Sequence, residues 1–187
     1  MGRKKKETPA LPDDVKSLAL AGDAEMQFQV ASYYDEHGKQ ARDGHAVYWY
    51  TKAADQGHVG AQYQLVKHLA GHFWSASEPE ITVAFDLLTK AAEQGHPEAQ
   101  YELGECYNQG YGVESDPSLT IKWWKKAAEN GNLNALCALG EWHEGEDIPL
   151  AIEYYRQAAA QGHCYAQKEV DRLTGNSLTD ETPWFAV

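Results

Sequence analysis

Two places in this sequence carry side chains whose types and spacing could bind a metal ion. His68 and His72 stand four residues apart, so one face of a helix would present both imidazoles. No cysteine or carboxylate nearby in sequence completes that ligand set. The second place, residues 143–147 (His-Glu-Gly-Glu-Asp), is dense in ligand types, but it falls where a helix should end. A half-buried helix face and an acidic loop explain both places better than a metal site does.

Histidine also recurs at a fixed position, and this recurrence favours a structural role over catalysis. His58, His96 and His163 each follow a glycine at the end of a predicted helix. A residue that returns once per repeat serves the fold of the repeat. The chain also lacks a phosphate-binding loop, a Gly-x-Ser-x-Gly elbow, a His-Glu-x-x-His helix and paired Cys-x-x-Cys motifs. We therefore expect no catalytic residue, no metal and no cofactor.

The elements that must hold these residues form a repeat. An alanine precedes a glycine by three residues at five places, and the glycines are 35, 38, 36 and 31 residues apart. The five places are Ala19–Gly22, Ala54–Gly57, Ala92–Gly95, Ala128–Gly131 and Ala159–Gly162. A period of this length is typical of stacked helix pairs, none of which can bury its apolar face alone.

The repeat columns describe two helices in each unit. A mostly small residue four positions after the glycine and an aliphatic residue eight positions after it mark the buried face of the first helix. The second helix carries pairs of large apolar residues that predict core packing: Trp49–Tyr50, Leu87–Leu88, Trp123–Trp124 and Tyr154–Tyr155. Gly104 and Gly140 follow the aliphatic residue, which predicts that a neighbouring helix approaches closely there.

Residues 90–131 strongly resemble the Sel-1-like repeat, a short relative of the tetratricopeptide repeat. Gly110-Tyr111-Gly112-Val113 and Asp116 reproduce the interhelix loop of that family, whereas the other units depart from it there. The resemblance extends over about residues 17–174. It implies an all-α, right-handed α/α superhelix, or solenoid, of four to five helix pairs. For function, it implies an adaptor or scaffold in protein complexes.

Composition and charge indicate how the chain is organised and which class of partner it binds. We expect a basic tail at 1–11, the repeat solenoid at 12–174, and a C-terminal tail or cap at 175–187. The net charge is −12, although Arg3, Lys4, Lys5 and Lys6 all lie in the first six residues. A chain with this negative net charge repels phosphate backbones. The charge therefore disfavours nucleic acid as a partner and favours a basic protein or peptide. No apolar stretch predicts a membrane span or a secretory signal.

The three cysteines fall in different repeat columns. Secreted proteins of the resembled family carry cysteine pairs that link each helix hairpin, and nothing here repeats in that way. Free thiols in a reducing cytoplasm fit better. Some cysteine-rich relatives are described as binding or hydrolysing β-lactams, but this sequence lacks both their cysteine pattern and a Ser-x-x-Lys motif.

The candidate binding surface lies on the first helices. Offsets 3, 7, 10 and 14 from each glycine form one stripe by helical spacing, and seven of the fourteen stripe residues considered are glutamates. In tetratricopeptide-like arrays the first helices line the concave wall, so the stripe predicts an acidic concave groove; the alternative is an ordinary solvated face. The residues predicted to bind there are Gln64, Lys67, Glu102, Glu105, Glu141 and Trp142.

Two segments outside the repeat pattern are further candidates. Residues 71–80 replace the family loop and carry Phe73 and Trp74, aromatic residues of the kind that dominate protein interfaces. The tail ends in Trp184-Phe185-Ala186-Val187, which would either cover the last helix or be presented to another protein.

Together these observations predict a bacterial, cytoplasmic, non-enzymatic module that binds a basic peptide or protein in its concave groove. The first alternative is an immunity or inhibitor protein that neutralises a toxic enzyme. A hydrolase of the β-lactam type is the second. The sequence leaves the oligomeric state and the identity of the partner open.

Overall fold

A computed structural model describes residues 11–37, 44–70 and 78–175, and in these residues it contains helices and no strands. The helices are α1 Asp13–Ala21, α2 Ala24–His37, α3 His45–Asp55, α4 Val59–Ala70, α5 Glu78–Glu93, α6 Pro97–Gln109, α7 Pro117–Glu129, α8 Leu133–His143, α9 Ile148–Ala160 and α10 Cys164–Thr174. The expected all-α helical-repeat fold is confirmed. No helix in the described ranges is long and apolar enough to cross a membrane.

The chain divides into two compact units, Met1–Gln94 and Gly95–Val187. In the first unit, α2 packs on α3 and α4 packs on α5, while α1 lies against α2. In the second unit, α6 packs on α7 and α8 packs on α9, while α10 lies against α9. The half-repeat at the start and the single helix at the end thus each flank a helix pair.

The repeat glycines and the polar residues after them set the helix boundaries. All five glycines have φ between 85° and 106°, a region in which a Cβ atom is strained. In the next position, His58 Nδ1 accepts a hydrogen bond from the backbone N–H of Ala61 at 3.1 Å. Asp23, His96, Asn132 and His163 cap their helices in the same way. The recurring histidines are therefore helix caps, as their periodicity predicts.

The predicted core faces are buried, and two glycines allow unusually close packing. One aromatic residue from each aromatic pair is almost completely enclosed: Tyr50, Trp124 and Tyr155. A Cβ atom built on Gly104 would lie 2.4 Å from Cδ1 of Trp124, and one on Gly140 would lie 2.8 Å from Cζ of Tyr155. These rings therefore rest directly on the backbone of the preceding helix, which confirms the predicted close approach.

A second set of repeat contacts consists of hydrogen bonds between side-chain amides, which we call amide clamps. The amide of Asn130 donates to Oε1 of Gln100 at 2.8 Å, although Gln100 is only 3% exposed. The pairs Gln56–Gln27 and Gln94–Gln62 are equivalent, at 2.8 and 2.9 Å. Each clamp joins the end of one second helix to the buried face of the first helix in the same pair. It satisfies a buried polar group within the apolar core.

Candidate functional site

The clusters that resemble metal ligands serve other purposes in the described residues. His68 Nε2 lies 3.2 Å from Oδ1 of Asp35 and forms an ion pair when protonated, while His72 lies outside the described ranges. In the acidic loop, Asp147 caps α9 by accepting from the backbone N–H of Leu150 at 3.0 Å. Glu144 accepts from the Tyr155 hydroxyl at 2.8 Å and from Arg172. Asp147 therefore caps its own helix, and Glu144 links α9 to α10.

One feature with binding geometry is a groove of about 510 Å³ in the second unit, which we call the acidic groove. Helices α6, α7, α8 and α10 contribute its walls. The residues that matter below are Tyr101, Glu105, Trp124, Glu141, Trp142 and Tyr165. Two carboxylates thus face an opening with four aromatic side chains around it.

Three of the eight residues predicted to bind a partner meet in this groove. Glu105 projects from α6, and Glu141 and Trp142 project from α8. Glu102 lies on α6 but outside the groove lining. The remaining residues are Gln64 and Lys67 on α4 in the first unit, and Phe73 and Trp74 outside the described residues. The stripe residues Glu105 and Glu141 thus line one groove of the second unit, and the use of the stripe as a binding surface stays a prediction.

Apart from Trp142, the aromatic lining was not predicted from the sequence as part of a site. Trp124 belongs to a second helix, so its column indicated core packing only, and it is indeed 3% exposed. Tyr165 does occupy a stripe position on α10 and is 42% exposed, which makes it a signal that could have been used. Trp124 and Trp142 meet edge to face, with ring centroids 5.9 Å apart. The glycine at position 104 is what lets Trp124 reach this wall.

Glu105 is the most perturbed carboxyl of the groove. Burial raises its pKa, and the nearby negative charge of Glu141 raises it further. The indole N–H of Trp124 acts in the opposite direction by favouring the ionised form, although its geometry falls short of a regular hydrogen bond. Burial raises the pKa of Tyr101 to about 12, with smaller contributions from the negative charges of Glu105 and Glu141. The Tyr101 hydroxyl therefore stays a hydrogen-bond donor.

Other glutamates of the predicted stripe are already engaged within their own unit. Glu25 accepts a hydrogen bond from His58 at 3.0 Å, and Glu169 pairs with Arg172 at 2.6 Å. By contrast, the described residues that line the groove include no lysine or arginine. Within the described lining of the groove, the negative charge is carried by Glu105 and Glu141.

One constellation in the groove has the geometry of a cysteine nucleophile with its base. Cys137 Sγ lies 3.4 Å from Nδ1 of His163, and Nε2 of His163 lies 3.4 Å from Oδ1 of Asn134. The electrostatics oppose that chemistry, because burial and then Glu141 and Glu169 raise the pKa of Cys137 to about 11. The same Nδ1 also accepts from the backbone of α10 as its cap. Cys137 therefore remains a thiol at neutral pH.

Comparison with solved structures places the fold among bacterial repeat proteins. A protective antigen of uropathogenic Escherichia coli that displays an SLR fold is 28% identical, with a TM-score of 0.77 over 90% of this chain and 37% of that chain. A Sel1 repeat protein from Oxalobacter formigenes is also 28% identical, with a TM-score of 0.73 over 81% of this chain and 64% of that chain. This chain thus spans less than two thirds of either protein.

An immunity protein from Pseudomonas aeruginosa shares the fold at 23% identity, with a TM-score of 0.57 over 90% of this chain and 62% of that chain. No curated protein sequence matches this chain. The Sel1 repeat model matches residues 24–58, 71–96, 97–132 and 133–163, which together make up more than half of the sequence. With the helix pairs and their capping glycines, these matches show that the chain belongs to the Sel1 repeat family.

Proposed function

We propose that this chain is a non-catalytic protein-binding module whose acidic groove holds a basic segment of a partner protein. The observation that supports this proposal is the pair of carboxylates, Glu105 and Glu141, in an aromatic groove whose described lining contains no lysine or arginine. Sel1 repeats generally mediate protein–protein interaction. A partner that brings positive charge would relieve the repulsion between the two carboxylates. This relief would favour binding without any rearrangement of the groove.

The wider charge distribution and the cysteines support the same proposal. The net charge of −12 would steer basic proteins toward the chain and repel nucleic acid. Cys106, Cys137 and Cys164 are all free thiols, as expected for a reducing cytoplasm, which is the location that we propose. The solved structures reported above come from bacteria, which supports a bacterial origin.

The proposal is tested by measuring the affinity of a fluorescent basic peptide and of an acidic peptide of equal length. We expect the full-length protein to bind the basic peptide, and to lose most of that affinity between about 50 and 300 mM salt. The double variant Glu105→Gln/Glu141→Gln should weaken binding by about tenfold or more, because the charged acceptors are removed with little change in volume.

A matched control removes the same charge elsewhere in the second unit. Glu129 on α7 and Glu153 on α9 are exposed and lie outside the groove lining. Glu129→Gln/Glu153→Gln should retain affinity within about twofold, since exposed charges at a distance are largely screened. Equal losses in both double variants would mean that net charge rather than the groove controls binding, and no loss in either would refute the groove as the binding surface.

An immunity or inhibitor role is a special case of the same proposal, favoured by the same acidic groove. In that case the basic segment would be the active site of a toxic enzyme that the chain covers. The expected result is a one-to-one complex with nanomolar affinity for an enzyme encoded by a neighbouring gene, measured by calorimetry together with inhibition of that enzyme. An adaptor would instead bind its partner without blocking any enzymatic activity.

A further inference from the structure

We propose that Asn130 is a site of spontaneous deamidation, and that the amide clamp between Asn130 and Gln100 controls the rate of this modification. The site is independent of the proposed function. The residue pair Asn130–Gly131, the hydrogen bonds that hold this pair, and the place of the pair in the repeat all point to it.

The pair Asn130–Gly131 combines a labile side-chain amide with the following residue that hinders its reaction least. Asparagine is among the thermolabile residues of proteins, because its carboxamide can react with the backbone of the next residue. Glycine in that next position has no Cβ atom to obstruct the approach, and it adopts unusual backbone angles at little cost. Asn130–Gly131 is the only Asn-Gly pair in the sequence. The chemistry therefore singles out one asparagine.

The repeat places this pair where other units carry glutamine. The residue directly before the repeat glycine is Gln56, Gln94 or Gln161 in three other units. Gln56 and Gln94 are the donors of the clamps in their own helix pairs, as Asn130 is in its pair. Glutamine reacts far more slowly than asparagine, because its longer side chain would have to close a larger ring. Among the clamps of the described residues, that of Asn130 alone thus has a labile donor.

The reaction needs only the protein and water. The backbone nitrogen of Gly131 attacks Cγ of the Asn130 side chain, so that a C–N bond forms and the Cγ–Nδ2 bond breaks. Nδ2 leaves as ammonia and takes the proton that the Gly131 N–H gives up. Water then opens the cyclic imide at one of its two carbonyls. The product is aspartate or, where the main chain now runs through Cβ and Cγ, isoaspartate.

The folded chain keeps the two reacting groups apart. Nδ2 of Asn130 donates to Oε1 of Gln100 at 2.8 Å, and the N–H of Gly131 donates to the carbonyl of Ala128 at 3.0 Å. The ψ angle of Asn130 is 12°, so that the Gly131 nitrogen nearly eclipses the Asn130 nitrogen, whereas ring closure requires it to eclipse Cβ. The reaction therefore requires that the turn between α7 and α8 opens locally and that the clamp is released.

The products cannot rebuild the clamp as it stands. A carboxylate at position 130 is an acceptor only, and it would face Oε1 of Gln100, which is a second acceptor. Gln100 is 3% exposed, so it would have to rotate a buried amide to supply a donor. Isoaspartate also lengthens the main chain in a turn that is fixed by hydrogen bonds from Gly131 to Ala128 and from Asn132 to Ala127. Deamidation should therefore destabilise the second unit irreversibly.

The test follows Asn130 in the full-length protein by peptide mapping and mass spectrometry, during incubation at neutral pH in water labelled with heavy oxygen. The label marks each carboxyl group that forms during the incubation. A free peptide of residues 126–135 gives the rate of the reaction without the fold. We expect modification at Asn130, about tenfold more slowly than in the peptide, and none at Asn108, Asn132 or Asn134. Asn130→Gln should abolish the modification.

Two matched variants test whether the clamp controls the rate. Gln100→Met removes the acceptor of Asn130 with little change in volume, and the reaction at Asn130 should become at least about threefold faster. Gln62→Met removes the acceptor of Gln94 in the equivalent clamp and should change the rate at Asn130 by less than about twofold. Far-ultraviolet circular dichroism at the incubation temperature shows that both variants remain folded.

A further variant tests the consequence of the modification. Asn130→Asp reproduces one product and should lower the Tm by at least about 2 °C, because it places two acceptors against each other. Asn130→Gln keeps a donor of the kind that the other clamps use and should lower the Tm by less. An unchanged Tm for Asn130→Asp would refute the predicted loss of the clamp.

The remaining outcomes each decide one part of the proposal. Modification of fewer than about a tenth of the chains at Asn130 after about thirty half-lives of the peptide would overturn the site in the native protein. A rate equal to that of the peptide would overturn protection by the fold. Equal acceleration by Gln100→Met and Gln62→Met would show that overall stability, and not the clamp, controls the reaction. Comparable modification of Asn132 or Asn134 would overturn the selectivity for the pair Asn130–Gly131.

Discussion

Replacing Gly104 by alanine should destabilise the second unit and disturb the wall of the acidic groove. The new Cβ atom would lie 2.4 Å from Cδ1 and 2.6 Å from Nε1 of Trp124. Non-bonded carbon atoms prefer a separation of about 3.5–4.0 Å, so the indole would have to move by about 1 Å. Trp124 is 3% exposed and lines the acidic groove, so a displaced indole would lose packing contacts and intrude into that groove.

The expected magnitude combines two opposing effects. Alanine is intrinsically better than glycine inside a helix by about 0.5–1 kcal/mol. Excess volume in a well-packed core costs about 1–3 kcal/mol, and an overlap with a large rigid ring belongs at the upper end of that range. We therefore expect a net loss of about 2 kcal/mol, which corresponds to a decrease in Tm of about 4–8 °C for a chain of this length.

The assay is thermal unfolding followed by far-ultraviolet circular dichroism, repeated with urea, for Gly104→Ala beside Gly145→Ala. No atom lies within 4 Å of a Cβ built on Gly145, and that residue has no positive φ. Gly145→Ala should therefore be neutral or stabilise the protein by up to about 1 kcal/mol through the unfolded chain. An unchanged or increased Tm for Gly104→Ala would refute the close packing of the indole on α6. A decrease in both variants would point to a general effect of alanine.

Three further predictions concern charge, thiols and the amide clamps. Because folding raises the pKa of Glu105, the folded chain loses stability as the pH rises from about 4.5 through that raised pKa. Thermal melts should therefore show that Glu105→Gln is more stable than the parent protein at pH 7 and equally stable near pH 3. Iodoacetamide at pH 8 should alkylate exposed Cys164 first, since burial raises the pKa of Cys106 to about 12 and of Cys137 to about 11; mass spectrometry showing all three modified together would contradict this. Gln100→Ala should cost about 1–3 kcal/mol in urea unfolding, because it leaves a cavity and an amide without its partner, and a cost near zero would show that the clamp contributes nothing.

The helices, their boundaries and their buried faces were determined by the sequence because each depends on local chemistry. A glycine with positive φ ends one helix, and the next side chain accepts a hydrogen bond from a backbone N–H three residues later. Both effects act within one turn, as Gly57 and His58 illustrate. The position of Gly104 directly after the aliphatic residue of its repeat, together with the small size of glycine, likewise predicted close helix approach there. The amide clamps were also visible in principle, since glutamine or asparagine fills the same two columns in successive repeats.

The composition of the groove was decided by tertiary structure. Glu105 and Glu141 are 36 residues apart and belong to different helix pairs, so only the packing of those pairs brings them to one opening. The same packing turns Trp124 into a groove wall, and in the first unit tertiary packing pairs the stripe residue Glu25 with His58. A stripe of like charges in a sequence therefore predicted which helix faces are acidic. Which of those charges remain available to a partner depends on neighbours that sequence spacing does not specify.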